Sequence, residues 1–168
     1  MIDEILDAYH SILKDADFLS EETRAMAIEK LDAIDPRVLY PDSWEKYDCE
    51  GLEIASPEEG GTLWQAGKDI ARYALAKSVE EYADPVDKEK WIATPQTVNC
   101  FYNAQDNSIS ILGAFAQGEI YNSDMSDEEL LARLGVVIGH EISHAFDSSG
   151  AQFDKNGNMK NWWTKADY

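Results

Sequence analysis

The chain has 168 residues, 44% of them hydrophobic, and 14 Lys+Arg against 33 Asp+Glu, so 14 − 33 gives a formal net charge of −19. That balance excludes nucleic acid as a main partner, because phosphate-backbone binding runs on clustered Lys and Arg. No apolar run is long enough for a membrane span, Met1-Ile2-Asp3-Glu4 is unlike a cationic leader, and Cys49 and Cys100 are too few for a disulfide framework.

The first predicted element is an amphipathic helix, with Ile2, Ile5, Leu6, Tyr9, Ile12 and Leu13 at helical spacing. Ser20 ahead of Glu21 and Glu22 predicts the N-cap of a second helix that buries Met26, Ile28, Leu31 and Ile34. It should stop near Asp35-Pro36 and pack antiparallel to the first. A polar loop follows from Tyr40 to Pro57. Gly60-Gly61 then precedes a third helix, with Leu63, Ala66, Ile70, Tyr73, Ala74 and Val79 on one face, ending by Asp84-Pro85. His10 lies at the edge of the first helix's stripe and reads as solvent-facing.

The pattern changes after Thr94-Pro95. Residues 96–102 are β-branched and aromatic-rich, residues 108–112 alternate with period two, and Asn103-Ala104-Gln105-Asp106-Asn107 between them is turn-like, which predicts a β-hairpin. Ser126 with Glu129 forms a capping box for a last helix, expected to run to about Ser148 with Gly150 as its C′ residue. Leu134-Gly135-Val136-Val137-Ile138-Gly139 is apolar all round, so this helix is expected to be buried on every side.

Directly after that run stands His140-Glu141-Ile142-Ser143-His144, then Ala145-Phe146-Asp147. Burying two imidazoles and two carboxylates costs several kcal/mol unless each finds a partner. A metal ion is such a partner. Four residues advance a helix by about 400°, so His140 and His144 stand one turn apart on one face and can converge on Zn²⁺. Glu141, about 100° round, can reach a water there without ligating the ion. Asp147 returns to nearly the same face and can bond the outer nitrogen of a ligand histidine. It could also be a third ligand itself, though from the same helix that strains a tetrahedral site. Such an ion polarises a carbonyl and acidifies water, and Glu141 would act as general base and then acid. A metzincin would need glycine at 147 and histidine at 150; Asp147 and Gly150 exclude it. The competing reading is a non-catalytic helical interaction module whose histidines are structural.

Val137-Ile138-Gly139-His140-Glu141-Ile142-Ser143-His144-Ala145-Phe146-Asp147 resembles the zinc helix of the neprilysin family of metallopeptidases, which includes endothelin-converting enzyme and bacterial oligopeptidases. Gly150-Ala151-Gln152-Phe153-Asp154-Lys155-Asn156-Gly157 and Asn161-Trp162-Trp163-Thr164 are similar to the segment that follows it there. Val98-Asn99-Cys100-Phe101-Tyr102 resembles the family's substrate strand, with cysteine in place of the usual alanine. Weaker likeness reaches back through Asp87-Lys88-Glu89-Lys90-Trp91 and Tyr40-Pro41-Asp42, so it covers essentially the whole chain.

The resemblance implies a zinc-dependent metalloendopeptidase acting on peptides small enough to enter an enclosed chamber. His140 and His144 would be the zinc ligands, Glu141 the catalytic base, and Asp147 an outer orienting carboxylate. Asn99 and the Cys100 backbone would bind substrate main chain, as a sheet edge accepts an added strand. The family's Glu-x-x-x-Asp stretch, with its third zinc ligand, has no match here. The third ligand is therefore expected beyond residue 168, and the chain reads as an internal, inactive fragment of the catalytic region. Its exposed apolar surface (Tyr121, Phe153, Trp162, Trp163) invites self-association.

The fold expectation is α+β: a single partial, gluzincin-like domain over 1–168, helical over 1–92, hairpin and loop over 93–125, a buried zinc helix over 126–149, and a turn and C-terminal segment over 150–168. Peptide substrates are the expected partners. The absence of leader, sequon and disulfide framework favours the cytoplasm without fixing a compartment.

Overall fold

α1 (Ile2–Lys14) and α2 (Glu21–Asp32) form where their patterns place them in the computed structural model, which describes residues 1–44, 48–85 and 87–167. Ser20 caps α2 by accepting the Thr23 amide N–H at 3.3 Å. The buried face of α2 differs from expectation: Thr23, Ala27, Lys30 and Leu31 are inside, while Met26 and Ile28 are half-buried. The true stripe runs i, i+4, i+7, i+8 through a threonine and a lysine whose polar atoms find partners, so counting apolar residues alone misplaces it. In α1, Ile5 and Leu13 are buried and Ile12 is 63% exposed.

A strand that the sequence pattern does not predict follows α2, ahead of the loop expected from Tyr40. β1 (Asp35–Leu39) lies parallel to β3 (Ser108–Leu112), which pairs antiparallel with β2 (Cys100–Asn103), giving the order β1-β3-β2. Only Arg37 of β1 is buried, its guanidinium 3.0 Å from both Asp35 and Asp106 carboxylates. A strand whose one inward residue is an ion-paired arginine shows no apolar alternation, and Pro36 is tolerated because β1 is an edge. The β2–β3 hairpin forms, but its first strand begins at Cys100, and residues 96–99, expected to be strand, are turn, bend and irregular chain. Its turn ends at Asn107 with φ 56, a left-handed conformation that asparagine tolerates. All five residues of β3 are buried.

Ser126 makes the expected capping box, its hydroxyl accepting the Glu129 amide at 3.3 Å while Glu129 accepts the Ser126 amide at 3.2 Å. The run it starts comprises α4 (Asp127–Leu130), a π-helical turn (Leu131–Gly135) and α5 (Val136–Ser143). α5 packs on β2 and β3 and touches α1. Its burial is one-sided: Ile138 and Ile142 are inside, but Val136 is 64% exposed. Helix geometry also ends at Ser143 rather than near Ser148. Gly150 opens a 3₁₀ turn and is not a left-handed cap; a Cβ there would lie 1.8 Å from the His144 carbonyl oxygen. Trp162, expected outside, is 7% exposed, with its indole N–H donating to the Phe153 carbonyl at 3.0 Å.

The chain falls into two compact units, Met1–Asp42 with Trp91–Tyr168, and Ser43–Lys90. The first holds the sheet, α1, α2, α4 and α5. The second is built on α3 (Leu63–Glu81), capped by Thr62, whose hydroxyl accepts the Gln65 amide at 3.1 Å. None of the α3 residues is buried. Among the described residues no helix is long and apolar enough to cross a membrane.

Candidate metal centre

α5 places His140 and His144 on its open side and Glu141 on its packed side. The two imidazoles meet edge to face, their Nε2 atoms 3.1 Å apart. Two nitrogen ligands of tetrahedral Zn²⁺, each at about 2.0–2.1 Å, would lie roughly 3.3 Å apart. The pair therefore matches one edge of such a site closely. Asp147 lies behind it: Oδ2 stands 2.7 Å from His144 Nδ1, and Oδ1 accepts the amides of Ser149 and Gly150, both at 2.8 Å. A carboxylate on Nδ1 keeps the proton there and leaves the Nε2 lone pair facing His140. Burial pushes the Asp147 carboxyl up, but the Gly150, His144 and Ser149 hydrogen bonds and the His144 charge outweigh it and hold it below the usual range.

Both Asp147 oxygens are thus engaged away from the Nε2 pair, as fits an orienting carboxylate. Among the described residues no group of three or more His, Cys, Asp or Glu is placed to hold a metal ion. What the chain brings together is a two-imidazole donor set with a neighbouring carboxylate. Glu141 is 7% exposed and lies on the side of α5 that packs against the sheet. Its charge is felt by Cys100, whose thiol is pushed up to about 12 by burial first and then by Glu141. At that value Cys100 is an inert thiol, and only its backbone is available for recognition. The Cys100 amide N–H donates to Asn99 Oδ1 at 3.0 Å. Asn99 is exposed at the start of the edge strand β2, so the two residues do adjoin.

Three supports were not singled out from the sequence. The Tyr9 hydroxyl donates to the Gly139 carbonyl at 2.7 Å, tying α1 to the residue before His140. Ser143 Oγ donates to the His140 carbonyl at 2.6 Å. Lys30, 1% exposed, donates to the carbonyls of Ala145, Gly150 and Phe153 at 2.8, 2.7 and 2.7 Å. Burial pulls its ammonium down to about 8 against the raising effect of Asp154 and Asp147. The 23/27/30/31 spacing is the one signal in the sequence that points Lys30 inward. His10 is half-buried, 3.9 Å from Asp32 and remote from this centre in the chain.

Residues 99–168 match the model of peptidase family M13. Across all of its length the chain is 36% identical to a neutral endopeptidase of Lactococcus lactis subsp. cremoris, and it covers 26% of that protein. It is 34% identical to an endothelin-converting enzyme homolog of Locusta migratoria, with 97% of this chain and 23% of that protein aligned. The crystal structure of PepO from Lactobacillus rhamnosis HN001 superposes with a TM-score of 0.90 at 30% identity, over 99% of this chain and 26% of that one. The inhibitor complex of the Mycobacterium tuberculosis zinc metalloprotease Zmp1 gives 0.87 at 30% identity, over 99% and 24%. The chain spans about a quarter of the length of the relatives it matches, and its mainly helical fold with a small sheet is that of the PepO structure.

Proposed function

Because the chain belongs to the neprilysin family, peptidase family M13, we propose that it forms part of a zinc-dependent endopeptidase that hydrolyses small peptides. The observation that carries this reading is the 3.1 Å approach of the His140 and His144 Nε2 atoms, with Asp147 behind His144. The side chains of His144 and Asp147 are 42% and 41% exposed in this chain, so the pair is open to an ion.

In this reading His140 and His144 hold the ion and the third protein ligand lies outside residues 1–168. Bound there, Zn²⁺ supplies Lewis acidity for the scissile carbonyl and for water. Glu141 takes a proton from the attacking water at a carboxylate oxygen and delivers it to the leaving amine nitrogen. Asp147 keeps the Nδ1 proton of His144 in place throughout. Asn99 and the Cys100 backbone hold substrate main chain at the open edge of β2, in the manner of an added strand. An incoming peptide that uses the Cys100 N–H displaces the Asn99 Oδ1 bond, which frees the Asn99 amide to bind the peptide as well.

The test is Glu141→Gln in a protein of the relatives' length that carries this chain. Zinc content should be unchanged while turnover of a short peptide falls by about 10²–10⁴-fold, the range for a lost general base. Full activity of that variant would remove Glu141 from its role. The 168-residue chain alone, with two imidazoles as its donor set, is expected to hold zinc weakly and to cleave nothing at a useful rate.

A further inference from the structure

The structure assigns Lys30 as a positioning residue for the His144 imidazole, acting through the 145–153 turn and Asp147; the assignment rests on the metal-centre reading above. Lys30 is on α2, 110 residues or more from that site in sequence, and an ammonium has three N–H groups. All three are used on one short segment: the carbonyls of Ala145, Gly150 and Phe153, at 2.8, 2.7 and 2.7 Å. Those carbonyls bracket Asp147 on both sides. The same Gly150 whose carbonyl Lys30 holds sends its amide to Asp147 Oδ1 at 2.8 Å, and Asp147 Oδ2 holds His144 Nδ1 at 2.7 Å. The relay is Lys30 to Gly150, Gly150 to Asp147, Asp147 to His144.

The donor end of the relay is itself fixed. The Lys30 carbonyl accepts the Asn107 side-chain N–H at 3.0 Å, and Asn107 in turn accepts the Tyr102 hydroxyl at 2.9 Å, which ties Lys30 to the hairpin. The ammonium lies 5.7 Å from the Trp162 ring centroid and 5.9 Å from that of Tyr102, within cation–π range. The segment it braces lies beyond the end of α5 at Ser143 and holds only the short 3₁₀ turn Gly150–Gln152. A carboxylate on an unbraced turn would hold a ring orientation poorly, and three convergent charge-assisted bonds supply the rigidity.

The test reads the tautomer of the His144 ring by ¹⁵N NMR in the labelled chain. In the unchanged chain His144 should be in the single Nδ1–H tautomer. Lys30→Met should convert it to a mixture and speed exchange of the Gly150 amide at least about tenfold. Asp167→Asn, which weakens the tie between α2 and the C-terminal segment without touching 145–153, should move neither. Lys30→Met combined with Asp147→Asn should shift His144 no further than Asp147→Asn alone, the non-additivity of a shared path.

In the longer zinc-loaded protein, Lys30→Met should speed zinc loss to a chelator about tenfold, the low end for a lost outer partner of a ligand. A folded Lys30→Met chain that keeps the single tautomer overturns the assignment, as does an equal shift in Asp167→Asn. If Lys30→Met does not fold, Lys30→Gln takes its place; if neither folds, Lys30 serves the fold as a whole and the assignment is likewise overturned. The tautomer is read without metal or substrate. An inactive longer protein would therefore count against the peptidase reading alone, and an unmoved tautomer against Lys30 alone.

Discussion

Asp147 is the residue on which the geometry of the centre turns, since its two oxygens join the His144 ring to the amides of Ser149 and Gly150. Asp147→Ala removes the partner that fixes the His144 tautomer and should lower zinc affinity of the longer protein by about 10–100-fold, read by competition with a chelator. An unchanged affinity would mean that the ring is held otherwise. Asp167 is the corresponding anchor at the start of α2. It accepts the Ser20 hydroxyl at 2.6 Å, the Thr164 and Thr23 hydroxyls at 2.5 Å, and the Ser20 amide at 2.7 Å, and these bonds hold its carboxyl far below the usual range. A depressed carboxylate contributes stability that is fully present above the unfolded aspartate value of about 3.9 and is lost as pH falls through and below it. The stability gap between the unchanged chain and Asp167→Asn should therefore be constant at neutral pH and shrink below about pH 4, measured as denaturation midpoints across the acid range. Helical spacing is what singles out His140, Glu141 and His144 in the sequence, whereas Asp147 reaches His144 from the turn beyond α5 and not from a helical face. The roles of Lys30 and Asp167 could not be read there, because the Lys30 partners are carbonyls more than 100 residues away and Asp167 joins the nearby Thr164 to the distant Ser20 and Thr23, which no local pattern encodes.

At the scale of elements, caps and the hairpin were legible and irregular edges were not. Ser126 with Glu129 and Ser20 ahead of α2 act as their sequences suggest, because capping is local chemistry. β1 was hidden because its one inward residue is the ion-paired Arg37. The early end of α5 was hidden too: Ala145 and Phe146 continue the apolar pattern, but the chain turns after His144 to bring Gly150 against the His144 carbonyl. That close approach makes Gly150→Ala a sharp probe. A Cβ 1.8 Å from a backbone oxygen cannot be accommodated without moving the turn. The variant should lose the Asp147–His144 bond, visible as a shifted His144 ring signal, as well as stability. Ser126→Ala, by contrast, should cost about 1 kcal/mol in unfolding free energy and leave the His144 signal where it is.

For the whole molecule, a short motif and its flanking residues were enough to predict the family, and the fold agrees with PepO at a TM-score of 0.90. The expectation of burial on every side of α5 fails in this chain, where Val136 is 64% exposed and the histidine pair faces outward. The proposed peptidase chemistry depends on whether that pair grips a divalent cation. The most direct measurement is zinc titration of the 168-residue chain, followed through the ring nitrogens of all three histidines. The His140 and His144 Nε2 signals should move together to a one-to-one endpoint with weak affinity, His10 should stay still, and His140→Ala should abolish the response. Zinc that leaves both signals unmoved, or moves only His10, would contradict the metal-centre reading and the peptidase chemistry built on it.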